Sequence, residues 1–193
     1  AFHIQSKQGE AAMQRTVTMP ANLSGDALDE LKSWLGISRP REDALLVDLL
    51  GASVALCEAF TGQAPLEQTI EEIVSAKSGS HALATRPVRA LSRVDWISPT
   101  GARSPAAPED FDFRIDAGQT ACITISNGAD AVSMAVAVRA GIAPDWRALP
   151  EPLRQGMIRL AAFHYRDRES GDDAQPPASV AALWRPWRIL RLA

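Results

Sequence analysis

Residues 42–60 read EDALLVDLLGASVALCEAF, and the arrangement of their apolar side chains decides much of the fold. Leu45, Leu49, Ala52, Leu56 and Ala59 recur at helical spacing on one stripe, and Leu46, Leu50 and Cys57 form a second. Glu42 and Asp43 in the first turn suit the helix dipole, and Thr61–Gly62 closes the run. An apolar arc this broad has to be covered by more than one neighbour, which calls for a helical bundle.

The flanking sequence offers those neighbours. Upstream, NLSGDALDELKSWLGI predicts a helix near 24–35, with Ser24 placed to cap, Asp26 in the first turn, Leu28, Leu31 and Leu35 on one side, and Gly36 as the stop. A shorter helix is expected over 67–77. Far downstream, PEPLRQGMIRLAAFHYRDRES predicts a helix near 150–169. Its prolines fall in the first turn, where a missing N–H does no harm, and Leu153, Met157, Leu160 and His164 form a stripe widened by Ile158, Ala161, Ala162 and Tyr165. That helix is expected to lie against the 42–60 helix.

From residue 78 to 144 helical periodicity gives way to short β-prone runs separated by Gly, Pro and Ser, near 88–97, 111–115, 121–126 and 132–139. Met134, Val136 and Val138 alternate as a strand with one buried face requires, and SPTGARSPAAPED forms a long exposed loop. The expected fold class is α+β: a helical bundle domain (23–77 and 145–170), an inserted β-domain (78–144), an N-terminal arm (1–22), and a C-terminal segment (171–193) of linker, short helix and docking tail.

At 193 residues the chain suits one domain, or one domain with an insertion. With 46% apolar and 22% charged residues it reads as a soluble globular protein, neither disordered nor membrane-spanning. The formal charge of -3 is too balanced for a surface devoted to nucleic acid. It is unevenly distributed, because Arg185, Arg188 and Arg191 leave the last ten residues basic while residues 1–80 are acidic. Cys57 and Cys122 are too far apart for a CxxC site, and two cysteines make no disulfide framework, so a reducing cytoplasm is the simplest compartment. The first twenty residues lack the basic and apolar pattern of a secretory signal.

Catalytic patterns are absent: there is no GxSxG, GxxxxGK, HExxH or strand-borne GxGxxG. No second His stands at helical spacing from His164, so it is expected to be a hydrogen-bonded helix-face residue. The acids Glu109, Asp110, Asp112 and Asp116 alternate with Phe111 and Phe113 as on a half-exposed strand, without the central Gly of a calcium loop. Glu71 and Glu72, adjacent on the expected helix, would point apart. Arg86, Arg89 and Arg93 do not share a strand face and lack an aromatic platform for bases. No catalytic, cofactor-binding or metal-binding residue is therefore assigned. The tail WRPWRILRLA (184–193) is different. Two Trp, three Arg, one Ile and two Leu in ten residues must be buried against their own domain or against a partner.

Several phrases, in order, resemble the adaptor-type head-tail connector proteins of tailed phages and their relatives in gene transfer agents. They are LDELKSWLGI, EDALLVDLLGASVALCEAFTG, RPVRALSRV, LPEPLRQGMIRLAAFHYRDRE and PPASVAALWRPWRILRL. The similarity runs from about Leu23 to Leu192. It includes the acidic pair Glu42 and Asp43, the helix ending at Glu58, Phe60 and Thr61, and the pair Tyr165 and Arg168. The stretch before Met19 and the Trp-rich tail depart from the pattern. The resemblance implies a structural role without enzymatic activity. Identical subunits, commonly twelve, would form a ring on the portal protein, joining the head to the stopper and tail while double-stranded DNA passes through the lumen without specific binding. It places the protein in the neck of a particle assembled in the bacterial cytoplasm, with no membrane partner. By analogy the portal contact falls on Trp184, Arg185, Trp187, Arg188, Ile189, Leu190, Arg191 and Leu192. The alternative is a small nucleic-acid-binding regulator using Arg86, Arg89, Arg93 and the basic tail, which would bind DNA with a steep salt dependence. An enzyme with a site near His164 and Asp167 ranks third.

Overall fold

In the computed structural model, which describes residues 14–128, 131–166 and 175–189, the chain folds around two apolar cores. Helix α1 (Asp26–Leu35) turns Ala27, Leu28 and Leu31 inward and stops at Gly36, whose left-handed φ of 71° suits a residue without Cβ. Its N-cap is Gly25 rather than Ser24; the Ser24 amide instead donates to the Asn22 side chain. Helix α2 (Asp43–Thr61) follows a single 3-10 turn at Pro40–Glu42 and buries Leu46, Leu50, Ser53, Cys57 and Thr61. Helix α3 (Glu151–Arg166) packs along α2 as expected, burying Leu153, Met157, Ile158, Leu160 and Ala161, and the short α4 (Ala178–Trp184) lies against α3.

The second core lies between two antiparallel sheets. One runs in the order β1 (Gln14–Met19), β2 (Gln68–Ser75), β8 (Ser133–Ala140), β4 (Val88–Ile97), β5 (Arg103–Pro105). The other is β3 (Gly79–Ala82), β7 (Ala121–Ile125), β6 (Phe111–Ile115). Val74, Val88, Val94, Met134, Val136 and Val138 from the first meet Ile123, Ile125, Phe111 and Phe113 from the second. The four strands expected from the alternating pattern appear as β4, β6, β7 and β8, with bounds that agree to within a residue or so.

The helix expected over 67–77 is instead β2, a correction with a physical reason. Leu66, Ile70 and Ile73 fit helical spacing, but Thr69, Ile70, Ile73 and Val74 are β-branched and stiff at χ1, which favours a pleated surface. Residues alternate in burial along β2, and every residue of the strand pairs with β8, from Gln68 opposite Ala140 to Ser75 opposite Ser133. Glu71 and Glu72 therefore do point apart, on opposite faces of a sheet. Glu72 is fully buried and accepts the backbone N–H groups of Ala84 (2.8 Å) and Thr85 (2.6 Å), while Glu71 takes a two-pronged bond from Arg103 (2.7 and 2.8 Å). Part of the segment expected as an N-terminal arm is β1, an exposed edge strand paired with β2. The β layer thus draws on residues 14–19 and 68–75 as well as on 78–144.

Where the two cores meet, two segments run side by side. Leu66 and Ala143 form a parallel bridge, Glu67 N–H donates to the Ala143 carbonyl (2.8 Å), and Ile142 N–H donates to that of Ala64 (2.9 Å). A Cβ at Gly141 would stand 2.4 Å from the Glu67 nitrogen, so only glycine permits this crossing. Arg89 clamps the junction, donating to the carbonyls of Gly141 (2.9 Å) and Ile142 (2.6 Å).

Candidate functional site

The tail begins at α4, where Leu183 and Trp184 reach the helical core. Trp184 is fully buried. Its indole packs over Gly156 of α3, where a Cβ would lie 2.1 Å from Nε1, and lies 6.1 Å from the Phe60 ring at a tilt of 54°. The same Nε1–H donates to the Leu153 carbonyl (3.3 Å). This corrects one residue of the expected docking set. Trp184 fills its own chain's core, because the close approach of α3 at Gly156 leaves a slot the size of an indole.

Beyond Trp184 the chain makes a 3-10 turn, Arg185–Trp187, and runs along the C-terminal end of α2. Gln63 donates through Nε2 to the Trp187 carbonyl (2.6 Å), and Ile189 N–H donates to that of Thr61 (2.9 Å). Arg188 stacks over Phe60, with its guanidinium carbon 5.5 Å from the ring centroid. Arg185 is exposed, Trp187 half-buried and Arg188 exposed. Leu190, Arg191 and Leu192 lie outside the described residues. Gly62, at φ 75°, ends α2 in a left-handed turn beside the Ile189 carbonyl and so turns the chain away where the tail passes.

Next to this seat a cleft of about 740 Å³ opens between α2, β1 and the loop at 84–86. Arg15, Glu58, Phe60, Arg86, Arg188 and Ile189 are among its walls. Glu58 is neutralised within the chain by Arg15 and accepts a hydrogen bond from Gln68 Nε2 (3.1 Å). Among the described residues no carboxylate pairs with Arg86 or Arg188, so the rim is cationic over an apolar floor. Glu58, Phe60 and Thr61, which carry part of the family resemblance, are brought together with the tail here. Arg15 and Gln63 were not legible as partners of this site, since no local pattern links residue 15 to 58 or 63 to 187.

The other sequence-marked residues disperse. Tyr165 donates to Glu42 (2.6 Å), and Asp43 is bonded by Lys32 (2.7 Å), so the acidic pair opening α2 ties α2 to α3 and α1. His164 lies edge-on to Phe163 at 5.6 Å. Asp167 lies outside the described residues. Asp110 accepts from the Trp96 indole (3.2 Å), Asp112 pairs with Arg114, and Asp116 accepts from Thr120 N–H (2.8 Å). Arg93 pairs with Asp95 (2.7 Å), Arg89 holds the junction and Arg86 faces the cleft, so the three form no common patch. Burial, with a smaller push from Glu58, raises the Cys57 thiol to about 12.

These features define a class: a two-core α+β protein with a C-terminal segment strapped across the end of its central helix. The same architecture occurs in chains of gene transfer agent particles. One, from the neck of an empty particle, superposes with a TM-score of 0.73 at 22% identity, covering 94% of this chain and 98% of that one. A chain from the virion of a native particle gives 0.71 at 23%, and one from a native neck computed with C12 symmetry gives 0.72 at 22%, with the same coverage. At these identities the likeness establishes a common fold. No family model and no curated protein matches the sequence.

Proposed function

We propose that the chain is a structural head-tail connector of a tailed phage or a phage-like gene transfer agent. Identical copies form a ring, of twelve in the family's common form, on the portal protein, link the DNA-filled head to the stopper and tail, and leave a lumen through which double-stranded DNA passes. The observation that carries this is the whole-chain likeness to gene transfer agent neck proteins, which takes in nearly all of both chains. The chemistry supports a non-enzymatic role, because Asp110, Arg89, Arg93 and His164 serve separate structural contacts. A net charge of -3 suits a conduit that must not grip phosphate. Of the residues a regulator would use, Arg89 and Arg93 are tied into other contacts and Arg86 alone joins Arg188 of the tail at the cleft, which leaves no extended basic patch for a nucleic acid among the described residues.

The portal contact is assigned to the tail beyond its anchor: Arg185, Trp187, Arg188 and Ile189, continuing through Leu190, Arg191 and Leu192. Trp184 is the fixed point from which this strap extends, and Arg and Trp at its surface are residue types that anchor interfaces. Deleting residues 185–193 removes the whole assigned contact and leaves Trp184 and the core in place. The truncated protein should fold and fail to join portal-bearing heads; normal attachment, seen by electron microscopy of the particles, refutes the assignment.

A further inference from the structure

Helix α2 has two apolar faces, and its own chain covers one of them. About half a helical turn from Leu46, Leu50 and Cys57 runs a strip formed by Leu45, Asp48, Ala52, Ala55 and Ala59, all exposed, with Leu49 and Leu56 half-buried at its margin. With the turn before it, this helix has a mean hydropathy of 1.7 and is, by length and composition, long and apolar enough to cross a membrane. Its excess apolarity lies in this strip, since the opposite face is already packed. Cations flank this strip, Arg41 one turn before Leu45 and Arg86 and Arg188 across the cleft from Ala55 and Ala59, but an unpaired carboxylate within it opposes burial in lipid. From Leu45 to Ala59 the strip carries one charge, Asp48, which has no ion-pair partner among the described residues.

The same molecule presents a counterpart. Trp34 on α1 is 45% exposed and Phe163 on α3 is 40% exposed, so each offers aromatic surface to a partner. Arg159, one turn before Phe163, lies 6.0 Å from the Trp34 ring centroid and has no carboxylate partner among the described residues. An unpaired cation between two exposed aromatics complements an unpaired anion in an apolar strip. Because α1 and α3 pack on the buried side of α2, these are two different surfaces of the helical layer. A contact between them joins copies head to tail, the arrangement that closes into a ring when the rotation permits.

We propose that the exposed strip of α2 docks onto the Trp34–Arg159–Phe163 patch of a second copy, with Asp48 meeting Arg159. The biological sense of this contact rests on the connector function proposed above, but its test does not involve the portal. Sedimentation of the full chain over a dilution series should show self-association that grows with concentration. Asp48→Arg and Arg159→Glu should each weaken it at least about tenfold, and the double variant should recover it, because the pair is then reversed rather than broken. Both residues are exposed, so unchanged melting temperatures will show that the variants fold. A wild-type chain that stays monomeric throughout, or single variants that associate as well as wild type, overturns the proposal. So does a monomer that sediments with anionic phospholipid vesicles, which would assign the strip to a membrane. Self-association by this pair in a protein that fails to bind portal would leave the interface standing and remove the connector function.

Discussion

Replacing Trp184 by Ala separates a core anchor from a docking residue. The indole is fully buried, contacts Phe60 and the bare backbone of Gly156, and satisfies the Leu153 carbonyl. Removing so large a side chain from a packed core costs about 3–5 kcal/mol, because the slot against α3 cannot collapse around a methyl group. For a chain of this size each kcal/mol lowers the melting temperature by about 2–4 °C, so the loss should be about 6–20 °C. Trp187, half-buried on the strap, should cost about 1 kcal/mol or less when truncated, as most changes near a surface do. Thermal unfolding followed by circular dichroism reads both. A Trp184→Ala protein that melts within about 2 °C of wild type would refute the core assignment, since no buried indole is lost that cheaply.

Three further outcomes follow from the same contacts. Glu72→Ala strands one buried and one part-buried backbone N–H group and should cost about 2–4 kcal/mol in urea unfolding, with Glu72→Gln costing less; equal stability of Glu72→Ala and wild type contradicts the bonding described. The Arg103 bonds hold the Glu71 carboxyl below its ordinary range, so the pair's contribution is fully present above that range and is lost as the pH falls through the lowered folded value. Since the pair is at the surface this amounts to less than about 1 kcal/mol, and Arg103→Ala should flatten that part of the acid-stability curve. With its thiol raised to about 12 by burial, Cys57 should resist a disulfide-exchange reagent near neutral pH until the chain unfolds. Two reactive thiols in the native protein would contradict this.

The parts of the fold legible in the sequence are those where one local pattern dominates. The broad arc of α2, the proline-led start of α3 and the strict alternation of β8 each dictate their element. β2 was not legible, because its apolar spacing satisfies a helix while its β-branched side chains and its partner β8, more than fifty residues away, make it a strand. β1 has only Val17 and Met19 in alternation, is exposed throughout, and is held as a strand by the edge that β2 offers. The tail was legible as something to be buried, yet its division between core and surface depends on Gly156, whose missing Cβ is a message only once α3 and α4 are seen to touch. Arg89 shows the same limit. In sequence it belongs to a basic cluster, and in space it caps carbonyls at the junction of the two cores.

The central claim is that this chain works as a ring seated on a portal. Its most direct test is the mass of the assembly formed when the full chain is mixed with its cognate portal protein. The account predicts a portal ring that gains a complete ring of connector copies, in a number matching the portal's symmetry or a simple relation to it. A portal whose mass is unchanged in the presence of excess folded chain would contradict it.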